Sequence, residues 1–324
     1  MPKALITCLH LQRRFDDFRP RYDALGVEPV LPKIDGQQLD AAAMRSAIIG
    51  MDAVIAGDDQ IDASVLEAGK ASALKAVIKW GIGTDGIDKP KAKELGIPVF
   101  NTPGTFSNEV ADLAMSLLLN VVRETHLMHQ SIMGGGWLKV PGRSLVGMKA
   151  GIIGLGSIGL GIARRAVAFG MDVSGYDVRP LPADVLSSQS VTQVGLDELI
   201  ASSDVILIAC DLTPANRHLL NADAFARMKT GAYIVNVSRG PLIDEAALCA
   251  ALASGKIAGA GLDVFEVEPL PKESPLRGFK SCVFSTHNGS NTLEAVARVN
   301  QMTTDILFHA LGLETINFTP NRVA

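Results

Sequence analysis

The sequence predicts an α/β protein built from two doubly wound parallel-sheet domains. Three observations lead there. Short apolar runs alternate with helix-patterned segments along nearly the whole chain, the pattern of parallel sheets buried on both faces. The alternation runs through two cycles, one from Pro2 to about Phe100 and one from about Lys149 onward. A length of 324 residues suits two domains of ~150 residues each. Composition agrees, since 48% hydrophobic and 20% charged residues can bury large cores and exclude a mainly disordered chain. The 31 glycines beside only 5% aromatics suit tight strand–helix turns more than an aromatic binding surface.

Taken in order, strands are expected at residues 4–9, 53–56, 76–79, 151–153, 172–176, 205–209, 233–237, 259–262 and 283–285, with helices or helix-bearing crossovers between them. One long helix is expected over residues 107–133. Its Val110, Leu113, Leu117, Val121 and Thr125 recur at helical spacing. Ser107 is the expected N-cap, Glu109 suits the first turn, and Gly134-Gly135-Gly136 ends the helix. Residues 137–147, with Pro141 and Gly142, read as a loop, and residues 293–311 as a final amphipathic helix. No internal repeat and no low-complexity tract interrupts this order.

Several function classes are disfavoured. A net charge of −4 gives no global attraction to nucleic acid or to an anionic membrane. The apolar run in MPKALITCLH is too short for a signal peptide, and the uncharged stretch 150–163 is too short for a membrane span and holds five glycines. A soluble, cytoplasmic protein is the expectation. The four cysteines form no C-x-x-C pair, so neither a zinc cage nor a disulfide framework is indicated, and Cys8, Cys210 and Cys282 read as small core residues. No His/Asp/Glu spacing suggests a metal, and Asp52, Asp58, Asp59 and Asp62 read as a solvated acidic loop. His10, His126, His129, His218 and His309 read as structural or exposed.

Gly154, Gly156 and Gly159 form G-x-G-x-x-G between an apolar strand and a helical run, and a second strand ends at Asp177, 23 residues after Gly154. That context is the dinucleotide fingerprint. Gly154 allows the tight turn, Gly156 the approach of a pyrophosphate and Gly159 close helix packing. The helix N-terminus favours the anion. Asp177 is placed to accept from the ribose hydroxyls and to repel a 2′-phosphate, which favours NAD over NADP, while Arg179 two residues on pulls the other way.

Three later segments place polar side chains just after apolar strands. They are Arg239 in NVSRGPLIDE, Asp263 and Glu268 in GLDVFEVEP, and His287 in STHNGS. In open α/β sheets the carboxyl ends of strands are where ligands bind. Hydride transfer to a 2-keto acid needs a cation for carboxylate and carbonyl, an acid for the nascent alkoxide, and a carboxylate that keeps the acid protonated. Arg, His and Glu are those parts.

With these residues the chain resembles the D-isomer-specific 2-hydroxyacid dehydrogenase family over nearly its whole length. The matching pieces are GLGSIG with Asp177, NVSRGPLIDEAAL, GLDVFEVEP, the histidine of THNGS, and in the first half KWGIGTDGID and FNTPG. The resemblance implies Arg239 as the substrate-orienting cation, His287 as acid/base and Glu268 as its partner. It implies backbone contacts from Ile82 and Gly83 to the substrate carboxylate, Val237 and Asp263 beside the nicotinamide, and Ser157 and Ile158 beside the pyrophosphate. It implies a discontinuous, flavodoxin-like substrate-binding domain of residues 1–102 and 288–324, a Rossmann NAD-binding domain of residues 103–287, an active cleft between them, and hinges near residues 101–104 and 288–293. It also implies a homodimer built around the NAD domain, with the long helix and the Trp137 loop as interface. Glu268 stands where the formate dehydrogenase branch has Gln. The wording Lys79-Trp80-Gly81 and His287-Asn288-Gly289-Ser290 is nearer the phosphoglycerate dehydrogenase-like branch than the glyoxylate and hydroxypyruvate reductases. The rival from another class is a NAD-sensing binding protein of the corepressor type on the same fold, which turnover of 2-keto acids with NADH would exclude.

Overall fold

The computed structural model describes residues 1–324. Its strands are β1 (Lys3–Ile6), β2 (Glu28–Val30), β3 (Ala53–Ala56), β4 (Ala76–Lys79), β5 (Val99–Asn101), β6 (Lys149–Ile153), β7 (Asp172–Tyr176), β8 (Thr192–Gln193), β9 (Val205–Ile208), β10 (Ala232–Asn236), β11 (Ile257–Leu262), β12 (Cys282–Phe284) and β13 (Asn321–Arg322). All nine expected strands form, those at 53–56, 76–79 and 172–176 with the expected bounds and the others with shifted ends. The other four, β2, β5, β8 and β13, are two or three residues long, too short to show a pattern.

The chain divides into two compact units, Met1–Thr105 with Thr292–Ala324, and Phe106–Asn291. The divisions fall a few residues beyond the expected 102/103 and 287/288, for a local reason at each. Thr105 is tied into the first unit, where its carbonyl accepts from Arg298 Nε at 3.1 Å and Nη2 at 2.8 Å. Asn288 and Gly289 are tied into the second, their N–H groups donating to Asp263 at 2.8 and 3.0 Å.

In the first unit the sheet order is β13-β5-β4-β3-β1-β2. Strands β1 to β5 are parallel, and β13 adds antiparallel to β5 through Asn321 opposite Asn101. Order 2-1-3-4-5 is the flavodoxin-like winding. Leu5, Val54, Val77 and Val99 lie in its buried core. The helix Leu293–Ala310 belongs to this unit and is capped by Thr292 Oγ1, which accepts from Ala295 N at 3.1 Å.

In the second unit all seven strands are parallel, in the order β12-β11-β10-β9-β6-β7-β8. This is the Rossmann winding, with its switch point beside β6, where the chain turns from one side of the sheet to the other. Ile206, Ile234, Leu248 and Ala260 lie in its core.

The structure corrects four expectations. The long helix is two, Ser107–Arg123 and Thr125–Met133, because Glu124 takes a left-handed backbone at φ 52°. Apolar spacing survives one such residue, so periodicity alone did not reveal it. Ser107 does not cap the helix. Phe106 holds the cap position, and the Ser107 hydroxyl instead donates to Ser157 Oγ at 2.9 Å. The acidic group is not a solvated loop. Asp59 is 3% exposed and accepts from Leu39 N and Gly57 N, Asp62 caps the helix Ala63–Ser72, Asp58 pairs with Lys79, and Asp52 with Lys75. Finally, Cys8 and Cys282 are buried as expected, but Cys210 is half-buried in the loop after β9.

Candidate active site

At the switch point the chain makes room by leaving side chains out. Gly154 follows β6 at φ +95°, and a Cβ there would stand 2.6 Å from Cys210 N. A Cβ on Gly159 would stand 1.9 Å from the Gly154 carbonyl oxygen, so only glycine lets the helix Ser157–Ala168 pack this close to the turn. Gly156 differs, since a Cβ there would meet no atom within 4 Å. That open space lies at the helix N-terminus, where the first N–H groups, including those of Ser157 and Ile158, lack helical partners and attract anions. Asp177 closes the site from β7. Its Oδ2 accepts from Leu155 N at 2.9 Å and its Oδ1 from Arg179 N at 3.0 Å. Burial raises the Asp177 carboxyl, but the N–H groups of Arg179 and Leu155 and the Arg179 cation outweigh it, and the net shift is downward. The Arg179 guanidinium stays 78% exposed and 3.6 Å from Asp177. A loop with space at Gly156, bare N–H groups and an ionised carboxylate fits a dinucleotide.

At the other end of the sheet, Asn236, Leu262 and Phe284 align across β10, β11 and β12. The next residues of each strand therefore emerge side by side. Asn236 is fully buried and shapes the turn after β10, with Oδ1 accepting from Ser238 N at 3.0 Å and Nδ2 donating to the Arg239 carbonyl at 2.9 Å. This turn carries Val237, buried at 7%, and Arg239, half-buried. After β11, Asp263 is 1% exposed and grips the segment after β12 by the Asn288 and Gly289 N–H groups. Its carbonyl accepts from His287 N at 2.7 Å. His287 takes a left-handed backbone at φ 52°, uncommon for a residue other than glycine, and is held by those contacts on both sides. The ring then meets Glu268, with Nδ1 and Oε2 2.8 Å apart. Glu268 Oε1 accepts from Phe265 N at 2.9 Å, which orients its carboxylate. Both side chains are about a quarter exposed. A His–carboxylate pair of this kind fixes one ring nitrogen as N–H and sets the orientation of the ring.

In the first unit, Ile82 and Gly83 lie in the turn after β4. Asn101 Nδ2 donates to the Ile82 carbonyl at 2.7 Å, and Gly81 N donates to Thr102 Oγ1 at 3.2 Å. The N–H groups of Ile82 and Gly83 find no acceptor within the chain.

The sequence-predicted residues thus fall into three groups: Gly154, Gly156, Ser157, Ile158, Gly159 and Asp177 at the switch point, Val237, Arg239, Asp263, Glu268 and His287 at three neighbouring strand ends, and Ile82 and Gly83 in the other unit. Sequence reasoning missed Asn236, which shapes the arginine turn. It also set aside His218, whose Nε2 pairs with Glu266. Asn236 stood in the quoted run NVSRG, and a buried polar residue closing a strand was its only signal.

A Rossmann sheet with a glycine loop at its switch point and a His–Glu pair at its strand ends defines a dinucleotide-dependent oxidoreductase. The chain belongs to the D-isomer-specific 2-hydroxyacid dehydrogenases, whose NAD-binding domain is matched by residues 115–289. It is 42% identical to a hydroxypyruvate reductase of Thermotoga maritima over 80% of this chain and 84% of that protein. It is 41% identical to a D-3-phosphoglycerate dehydrogenase of Methanocaldococcus jannaschii over 75% of this chain but 46% of that protein. The apo structure of Escherichia coli D-lactate dehydrogenase superposes with a TM-score of 0.82 at 30% identity, covering 100% of both chains. The protein is therefore an NAD-dependent dehydrogenase acting on hydroxy acids. No helix is long and apolar enough to cross a membrane.

Proposed function

We propose that this chain interconverts a small D-2-hydroxy acid and its 2-keto acid, with Arg239, His287 and Glu268 as its working residues. The observation that carries this reading is the 2.8 Å contact between His287 Nδ1 and Glu268 Oε2. Bound NAD(H) supplies or takes up the hydride. Arg239 holds the substrate carboxylate and carbonyl oxygen in one plane through its guanidinium fork. In reduction, His287 gives the proton on Nε2 to the carbonyl oxygen as negative charge develops there. Glu268 stabilises the imidazolium beforehand and keeps Nδ1 as the N–H that faces it. In oxidation the same nitrogen takes the hydroxyl proton. The Ile82 and Gly83 N–H groups bind the substrate carboxylate. Gly156, Ser157 and Ile158 receive the pyrophosphate, Asp177 the ribose hydroxyls, and Val237 and Asp263 flank the nicotinamide.

The substrate's far end is small and uncharged in this reading. Lys79, next to the Trp80–Gly83 turn, is 7% exposed and committed to Asp58 at 2.9 Å and to the Trp80 carbonyl at 3.0 Å. A cation so engaged is a poor phosphate receptor, which favours hydroxypyruvate or glyoxylate over a phosphorylated acid despite the branch wording around Trp80. The test is a panel of glyoxylate, hydroxypyruvate, pyruvate and phosphohydroxypyruvate with NADH and NADPH. Hydroxypyruvate or glyoxylate with NADH is expected to give the highest kcat/KM. No turnover of any member would overturn the reading in favour of an NAD-sensing binding protein. The chain is further proposed to pair as a homodimer, supported by Met133 and Trp137, which are 75% and 79% exposed on adjoining segments of the second unit. Sedimentation of a Trp137→Asp variant as a monomer is the expected result.

A further inference from the structure

The segment Phe265–Glu268 that carries the proposed histidine partner is held from behind by a second set of residues. Gly240, the neighbour of Arg239, lies under it. A Cβ at Gly240 would fall 1.8 Å from the Phe265 carbonyl carbon and 2.4 Å from Glu266 N. Five residues on, Glu245 opens the helix Glu245–Ala253, and its Oε1 accepts from Glu266 N at 2.6 Å. The His218 side chain, on φ 53°, pairs with the Glu266 carboxylate, and its own backbone N–H is fixed on the Pro241 carbonyl at 2.8 Å. Only Val267 separates Glu266 from Glu268, so a shift at Glu266 is passed along the backbone to the carboxylate that meets His287.

We propose that Glu245 is a positioning residue for the Glu268–His287 pair: by holding the Glu266 N–H over Gly240, it fixes the segment at the height where Glu268 reaches His287. This rests on the reading of His287 as the acid/base. The placement brings three carboxylates together, and the ionisable groups around Glu245 are Glu266, Glu268 and Cys249, with His218 beyond Glu266 and His287 beyond Glu268. Burial pushes the Glu245 carboxyl up. The Glu266 N–H works against this, and the charges of Glu266 and Glu268 add to it. A hydrophobic residue would avoid that electrostatic penalty, whereas a polar side chain of this length supplies an acceptor at the loop.

Reach and charge can be separated. Glu245→Gln keeps the reach and an acceptor oxygen but loses the charge. Glu245→Asp keeps the charge and loses the reach, and Glu245→Ala loses both. Three quantities are read on each full-length variant: the alkaline limb of keto-acid reduction, the imidazole titration of His287 by NMR without cofactor, and Tm. A mistuned Glu268 leaves the imidazolium less stabilised, so the limb and the titration move to lower pH. The Asp and Ala variants are expected to move by ~0.5 pH unit and to lose ~10-fold in kcat, while the Gln variant stays with the wild type and NADH affinity is unchanged in all three. A role confined to stability would lower Tm and leave both pH readings in place, which overturns the proposal. So would an Asp variant that behaves as wild type while Gln does not, since charge rather than placement would then matter. Glu268→Gln is run alongside. If that variant leaves the limb unmoved, the acid/base reading itself has failed, and the failure does not lie with Glu245.

Discussion

Around β6 and β7 the second sheet leaves side chains out, whereas around β10, β11 and β12 it ties them down. Gly154 and Gly159 are glycines because backbone atoms of the same unit lie 2.6 and 1.9 Å from where a Cβ would be. Asp263, by contrast, is almost fully buried with both carboxylate oxygens on backbone N–H groups, and Glu268 is oriented by Phe265 N before it meets His287. The two strand-end aspartates express the difference. Asp177 holds the glycine turn through Leu155 while remaining at the edge of open space, and Asp263 holds a loop from inside. The first end therefore fails when atoms are added, and the second, Gly240 apart, when they are removed.

The largest effect is expected from removal at Arg239. Arg239→Ala should lower kcat/KM on the true keto acid by ~10⁴-fold, with part of the loss in kcat, because charge on the carbonyl oxygen grows toward the transition state. Arg239→Lys keeps the charge without the fork and should retain some activity at a raised KM. NADH affinity, measured by fluorescence titration, should hardly change in either. An alanine variant with near-wild-type kcat/KM would break the comparison at its catalytic end.

Next comes His287→Gln, expected to slow hydride transfer ~10³-fold with little change in NADH affinity. Glu268→Gln is milder and is read in the pH profile. Without the anion the imidazolium gives up its proton more easily, so the alkaline limb of keto-acid reduction should move to lower pH. Coincident profiles for wild type and variant would separate the pair functionally despite its 2.8 Å contact.

The two ends also differed in how far they could be read from sequence. The glycine loop was legible because each glycine answers a local steric demand within a strand–turn–helix, and Asp177 stands at a fixed distance from it. The residues proposed for catalysis were legible as types after strands, but the parts that hold them were not. Asn236 acts on its own turn, but Gly240 and Glu245 act on the segment at Phe265 and Glu266, and neighbouring positions in the sequence carry no mark of that pairing. The same limit explains the edges of the sheets. β2 contains Pro29, and β8 and β13 are two residues long, so tertiary pairing rather than pattern makes them strands. Asp59 looked solvated because three acidic neighbours surround it in sequence, whereas in the fold each of the four has its own partner.

At the glycine end, Gly159→Ala should act on the free protein. Its Cβ would meet the Gly154 carbonyl, a backbone atom that cannot rotate away, so the helix Ser157–Ala168 must shift. Overpacking of this kind costs ~1–3 kcal/mol or more, and Tm without cofactor should fall by several degrees. NADH affinity should drop ~100-fold with it. An unchanged Tm would show that the turn is not sterically locked.

The smallest effect on the free protein, and the sharpest contrast, belongs to Gly156→Ala. Here φ is −73°, which any residue adopts, and the new methyl would meet no atom within 4 Å. Alanine also costs less backbone entropy on folding than glycine. The variant should therefore unfold within ~0.5 kcal/mol of the wild type when cofactor is absent. Yet the methyl would stand in the space proposed for the pyrophosphate, beside the N–H groups that receive it. NADH affinity should fall at least ~10-fold, by loss of close approach rather than of charge, while kcat at saturating NADH stays near the wild-type value. Isothermal titration with NADH, set against thermal unfolding of the apoprotein, separates the two quantities. Loss of binding with stability intact would mean that Gly156 is kept small for the ligand and Gly159 for the fold. Equal binding in the Gly156 variant and the wild type would mean that the open space at the helix N-terminus is not where the pyrophosphate sits.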